Sequence, residues 1–344
     1  MGKVAAARKL ASAAVYGGGG LSVLGASLYG VLRAEATLAR RQIGNADGAP
    51  PNATGWYGRG RPGPALKVAL LGDSSAAGYG VHTVQETPGA HLASGLAEGA
   101  DRRVYLCSVA FVGAQTRDLD KQIDQALAME PHVAVILVGA NDVTHSRLPS
   151  ESVRLLREGV SRLVAAGVEV VVGTCPDLGT VEPIPPPLKQ VARTWSRRLA
   201  AAQTIAVVDA GGRTVSLGSV LGPEFAASPK LLFGPDRFHP SAAGYSSLAQ
   251  VMLPSVLAAA GVFEDLAPEP ARGEAVMPIS EAAVEAARTP GTEIDATKVG
   301  GAERGARGRW VQLRRRHRQP QTHVEGPESD ESSEPAPSDS PHPR

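Results

Sequence analysis

Residues 66–80 read "LKVALLGDSSAAGYG": an apolar run broken only by Lys67 passes directly into Gly72-Asp73-Ser74-Ser75 and then into small residues. A short continuous apolar run that ends on glycine predicts a strand buried on both faces. The pattern then recurs. Strand-like runs "RVYLCSV" (103–109), "VAVILV" (133–138), "VEVVVGT" (168–174) and "TIAVVDA" (204–210) alternate with longer helical stretches. These are "TPGAHLASGLAEGA" (87–100), "TRDLDKQIDQALAM" (116–129), "SESVRLLREGVSRLVAAG" (150–167), a helix within 186–203 and a last one after His239. In the third, Val153, Leu156, Val160 and Leu163 recur at three or four residues, with Arg154, Arg157, Glu158 and Arg162 between them, which sets an apolar stripe against a sheet. Buried strands separated by amphipathic helices predict an α/β fold with a central parallel sheet of about five strands and helices on both faces.

Outside this block the composition changes. Residues 1–41 carry Lys3, Arg8 and Lys9, then an uncharged stretch from Leu10 to Leu32, then Arg33, Arg40 and Arg41. Roughly 20 such residues can span a bilayer, so the segment predicts a signal anchor or export segment, with "AEA" at 34–36 as a small-residue cleavage site. Membrane association through 10–32 and a place in the cell envelope follow as expectations. A glycine-rich helix packed on the domain is the alternative, since Gly17 to Gly20 dilute the apolar character. Residues 42–64 are rich in Gly, Pro and Asn and predict a linker, so the domain is expected over 65–263. The remainder, 264–344, turns to Pro, Glu, Arg and Ser and predicts a mostly disordered tail, apart from helical promise at "ISEAAVEAAR" (279–288).

Charge narrows the partner class. Lys plus Arg number 35 against 34 Asp plus Glu, a net charge of +1, so no global field steers the chain to nucleic acid. The basic run Arg314 to Arg318 is local and reads as a solvated charge cluster. Cys107 and Cys175 stand at strand ends without CxxC or metal-ligand spacing and read as unpaired thiols.

In a parallel α/β sheet, ligands bind beyond the carboxyl ends of the strands, so the residues following each strand are the informative ones. Gly72-Asp73-Ser74 follows the first, Gly113 the second and Gly139-Ala140-Asn141-Asp142 the third. After the last strand and a long loop comes "DRFHPSAAGY", with Asp236 and His239. Acyl transfer needs a nucleophile, a base, a group to orient the base, and donors for an oxyanion. Ser74 is the candidate nucleophile, His239 the base and Asp236 its orienter; Ser74 and Gly113 N–H groups with the Asn141 amide are candidate oxyanion donors. Taken singly, each block also reads as an ordinary turn or cap. Asp73 reads as a turn-shaping carboxylate rather than a reacting group, and His145 as a loop residue that shares the expected active face.

The four blocks together resemble those of the SGNH/GDSL hydrolase family, in the same order, over about residues 66–260. The resemblance is closest to actinobacterial exported or membrane-associated esterases that open on "GDSSAAGYGV". It implies a flavodoxin-like three-layer α/β/α domain and a serine esterase or lipase needing no cofactor or metal. Its roles carry over to Ser74, Gly113, Asn141, Asp236 and His239. One position departs from the pattern: Ser75 stands where the family has leucine. The expected activity is hydrolysis of short or medium acyl esters of small-molecule, lipid or glycan alcohols. Carbohydrate O-deacetylase, lysophospholipase and thioesterase chemistry use the same groups, and a surface-displayed binding module without turnover is the alternative of another class.

Overall fold

A computed structural model describes residues 28–39, 41, 48–181, 183–218, 229–262, 275–289, 291–296, 310–315 and 324–328. Its strands are β1 (Gly55–Tyr57), β2 (Leu66–Gly72), β3 (Val104–Ser108), β4 (Val133–Leu137), β5 (Glu169–Gly173), β6 (Arg213–Val215), β7 (Ala275–Pro278), β8 (Thr292–Ala296) and β9 (Trp310–Arg315). They form one sheet in the order β1-β3-β2-β4-β5-β6-β8-β9-β7. The middle five, β3-β2-β4-β5-β6, are all parallel. Their number and parallel arrangement are as expected, in the flavodoxin-like order 2-1-3-4-5, and four of the five are the expected stretches.

Alternation along β2 divides the core into two layers. Leu66, Val68 and Leu70 pack with Leu92 and Leu96 of helix α1 (Pro88–Ala100). Ala69 and Leu71 point the other way, toward Ile123 of α2 (Leu119–Leu127) and Leu156, Val160 and Leu163 of α3 (Pro149–Ala165). Helix α4 (Leu188–Asp209) joins the second layer through Val207, and α5 (Ala242–Ala259) the first through Leu248, Met252 and Val256. A strand whose two faces are both covered has no polar side to show, which is why "VALLG" carries no alternation.

Three expectations are corrected. "TIAVVDA" is the end of α4, not a strand, and the fifth parallel strand is "RTV". Val207 packs on the sheet while Val208, equally buried, packs with Ile279, Ile294 and Leu313. A helix wedged between two apolar layers loses its amphipathic signature and reads as a strand. Secondly, the 42–64 segment is not merely a linker: β1 pairs antiparallel with β3, Tyr57 is fully buried, and its hydroxyl donates to Ala53 O at 2.7 Å. Thirdly, the domain does not stop at 263. Strands β7, β8 and β9 with helix α6 (Ile279–Ala286) widen the sheet to nine strands, β8 pairing antiparallel with β6.

This extension is seated by a buried ion pair. Glu293, with no exposed surface, accepts from Arg213 Nη1 at 3.3 Å and from Ser255 Oγ at 2.8 Å. Farther on, residues 324–328 lie beside β1: the Glu328 N–H donates to Trp56 O at 2.8 Å, and Arg103 pairs with Glu328 at 2.6 Å. The stretch 10–27 lies outside the described residues; residues 28–39 are helical, with Glu35 accepting the Leu188 N–H at 2.8 Å. Among the described residues no helix is long and apolar enough to cross a membrane.

Candidate active site

The nucleophile turn begins at a glycine that nothing else can replace. Gly72 has φ +138°, and a Cβ there would lie 1.9 Å from Leu137 O. That same carbonyl accepts the Asp73 N–H at 3.0 Å, so the ladder between β2 and β4 runs one residue into the turn. Asp73 then caps the short helix Ser74–Ala77, its carboxylate accepting the Ser75 N–H at 2.9 Å. Burial pushes its carboxyl up to about 6, against the lowering effect of the Ser75 N–H and of the facing His239. The structure thus gives Asp73 the turn-shaping place expected of it.

Gln122, buried on α2, clamps the other side of Gly72. Its Oε1 accepts the Gly72 N–H at 2.7 Å and its Nε2 donates to Gly72 O at 2.9 Å. Gln203 of α4 acts likewise between β4 and β5, accepting from the Cys175 N–H at 2.7 Å and donating to Val138 O at 3.1 Å. Neither glutamine was singled out in the sequence. Both stand inside apolar stripes, Gln122 between Leu119, Ile123 and Ala126, and Gln203 between Leu199, Ala200 and Val207. A polar residue in such a stripe is the signal that finds them.

Asp236 and His239 come from one turn, closed by the Gly234 N–H donating to His239 O at 2.8 Å. Asp236 Oδ1 accepts the N–H groups of Phe238 and His239, each at 3.0 Å, and Oδ2 holds His239 Nδ1 at 2.6 Å. Burial raises the carboxyl of Asp236, but the imidazole and these two backbone donors outweigh it and hold it below its ordinary range. The other ring nitrogen, Nε2, lies 2.8 Å from Ser74 Oγ. Tyr79 and Phe238 meet the imidazole edge-on, with centroids at 4.8 and 4.9 Å, and limit its rotation. Beneath the turn, Tyr245, fully buried, donates to Tyr79 O at 2.7 Å.

The other two blocks are tied to this turn and to each other. The Phe111 N–H donates to Gly72 O at 3.3 Å, which brings the Gly113 loop to the start of the nucleophile turn. Gly113 has φ +85°, with open space where a side chain would project. Asn141 Nδ2 donates to Ala114 O at 3.0 Å, leaving its second N–H available. Asp142, buried, accepts from Thr116 Oγ1 at 2.9 Å and Ser152 Oγ at 2.7 Å, fixing the Asn141 turn to the Gly113 loop and to α3. His145 stays apart: its Nδ1 lies 2.8 Å from Asn141 O on an exposed turn. Cys107 and Cys175 are both free thiols.

Beside the triad lies a cavity of about 40 Å³. Asp73, Ser75 and His239 border it, and Leu137, Leu178, Val181, Leu217, Phe233 and Leu248 supply apolar wall. A serine oxygen hydrogen-bonded to an imidazole, itself held by a carboxylate, is what acyl transfer through a covalent intermediate requires.

Residues 70–246, half of the chain and all four blocks, match the GDSL-like Lipase/Acylhydrolase family. The chain belongs to that family. A GDSL-like esterase of Mycobacterium tuberculosis is 42% identical over 255 residues, covering 71% of this chain and 80% of that protein. This chain is accordingly a carboxylic ester hydrolase of the GDSL type. Among solved structures, TesA overlaps 58% of the chain and all of its own length, with TM-score 0.45 and 19% identity. A catalytic mutant of Axe2, an acetylxylan esterase from Geobacillus stearothermophilus, overlaps 57% of this chain and 96% of its own, with TM-score 0.43 and 19% identity. The GDSL match begins at Leu70 and ends at Ser246, so β1 and everything after α5 lie outside it.

Proposed function

We propose that this GDSL hydrolase cleaves carboxylic esters of short or medium acyl chains through an acyl-enzyme on Ser74. The observation that carries the proposal is the unbroken hydrogen-bond chain from Asp236 through His239 to Ser74 Oγ. Ser74 Oγ attacks the acyl carbon as His239 Nε2 takes its proton. Asp236, held ionised, keeps Nδ1 protonated and balances the imidazolium. The negative oxygen of the tetrahedral intermediate is met by the N–H groups of Ser74 and Gly113 and by the second N–H of Asn141. Collapse breaks the bond to the alcohol, which leaves with the proton from His239. Water then adds to the acyl carbon through the same base, releasing the acid and restoring Ser74.

The small apolar cavity and the 4% aromatic content favour short aliphatic acyl groups over a long sugar or nucleic-acid groove. The basic-flanked stretch 10–32 supports a place in the cell envelope, checked by fractionation of the full-length chain. For the chemistry, Ser74→Ala is expected to lower kcat on p-nitrophenyl butyrate by about 10⁴-fold or more without loss of fold. A fluorophosphonate probe is expected to label Ser74 in the wild type. Unchanged turnover in Ser74→Ala overturns the proposal.

A further inference from the structure

The one residue of the nucleophile block that departs from the family motif faces the cavity. Ser75 borders it, and the leucine the motif carries there is larger by several carbon atoms. The Ser75 polar groups are engaged elsewhere: its N–H donates to Asp73 Oδ1 at 2.9 Å, and its hydroxyl also bonds that carboxylate. Ser75 therefore covers the charge of Asp73 and adds little volume of its own. Much of the remaining wall is apolar.

Another wall residue, Leu217, is fixed by a part of the chain that the family match does not reach. Ser216 donates its N–H to Thr292 O at 2.9 Å and accepts the Gly291 N–H at 3.0 Å. Its hydroxyl donates to Ala286 O at 2.6 Å. Helix α6 and β8 thus grip the residue next to Leu217 from two sides. Leu217 is 5% exposed and packs in the same apolar layer as Leu137, Val215 and Leu248. The C-terminal extension sets where this wall of the cavity stands.

We infer that the cavity receives the acyl chain, and that Ser75 and Leu217 set the length it accepts, Ser75 by being small and Leu217 by closing the space. This inference rests on the proposed ester hydrolysis and adds its selectivity. It concerns volume, so removing the Ser75 hydroxyl alone leaves the preference as it is. In an apolar pocket a methylene that gains or loses its place changes kcat/KM by about tenfold or more.

The test is kcat/KM for p-nitrophenyl acetate, butyrate, hexanoate and octanoate in four full-length proteins. In the wild type the value is expected to rise from acetate to butyrate and to fall by octanoate. Ser75→Leu is expected to lower the butyrate-to-acetate ratio by about tenfold or more, mainly through KM, while Ser75→Ala keeps the wild-type ratio. Leu217→Ala is expected to move the other way, raising the hexanoate-to-acetate ratio by about fivefold or more. The opposite sign keeps the test decisive if Ser75→Leu fails to fold. A wild type that hydrolyses no ester overturns the proposed function. An active wild type whose chain-length profile is the same in Ser75→Leu and Leu217→Ala overturns this inference alone.

Discussion

His239 Nε2 lies 2.8 Å from Ser74 Oγ, although 165 residues separate them in the chain. The imidazole is fixed by its own turn, where Asp236 holds both Nδ1 and the two backbone N–H groups that shape the turn. Asp236→Asn keeps an acceptor for those N–H groups but loses the charge that holds Nδ1 protonated. Its kcat is expected to fall by about 10³- to 10⁴-fold with the melting temperature little changed. Steady-state kinetics and a thermal melt on the same preparation check this, and a loss below tenfold removes Asp236 from the proposed triad.

Gly72→Ala tests the turn from the backbone side. The new Cβ would meet Leu137 O at 1.9 Å, and alanine resists φ +138° whatever the space. Strain and the displaced Asp73–Leu137 bond together are expected to destabilise the protein by more than about 4 kcal/mol, or to prevent folding. Urea unfolding or the yield of soluble protein measures it; a native-like midpoint contradicts the close approach of Gly72 to Leu137 O.

Gln122→Leu keeps the volume and apolar character of its stripe but removes both bonds to Gly72. The Gly72 N–H left buried without the amide, and its C=O left with the Phe111 N–H, are expected to reduce stability by about 1–3 kcal/mol in total. Because Gly72 leads into Ser74, kcat should fall as well while KM for p-nitrophenyl butyrate stays near the wild-type value. Stability loss with unchanged kcat would make the clamp purely structural.

These residues show why the chain is only partly legible from its sequence. Four of the five parallel strands and the four blocks were readable because burial on both faces, glycine exits and short polar turns are local patterns. Ser74, Asp236 and His239 are each ambiguous singly and became informative as a set placed at strand ends. "TIAVVDA" misled because Val207 and Val208 serve two different apolar layers, a fact that depends on β8 and β9. The extension itself was hidden for a related reason. "TEIDA" carries Glu293 toward the interior, and the distant Arg213 and Ser255 help make that burial tolerable.

Glu293→Met follows from that pairing. It leaves the Arg213 guanidinium, whose side chain is 11% exposed, without its buried carboxylate partner. Removing one member of a buried pair is expected to reduce stability by about 3–5 kcal/mol, and a Glu293→Met, Arg213→Met double variant to recover much of it. Chemical denaturation of the four corners of that cycle checks the prediction. A single-variant loss below about 1 kcal/mol contradicts the seating of β8 on β6.

Asp73 sets a pH dependence of stability that runs opposite to that of most carboxylates. Its pKa is raised from 3.8 to about 6 by burial in the folded protein. Between those values the folded state keeps the proton that the unfolded chain has already lost, so stability falls as pH rises through the window and levels off above it. The shift corresponds to about 3 kcal/mol. Asp236, held low, acts in the other direction and only at more acid pH, where its contribution is lost as its carboxylate takes up a proton. Asp73→Asn keeps an oxygen for the Ser75 N–H and has no proton to lose. Measured by denaturation at half-unit steps from pH 4 to 8, the wild-type minus Asp73→Asn stability difference is expected to drop by roughly 2–3 kcal/mol between pH 4 and 6.5 and then to stay flat. A difference that does not change with pH would mean that Asp73 titrates alike in the folded and unfolded chain, and overturns this prediction.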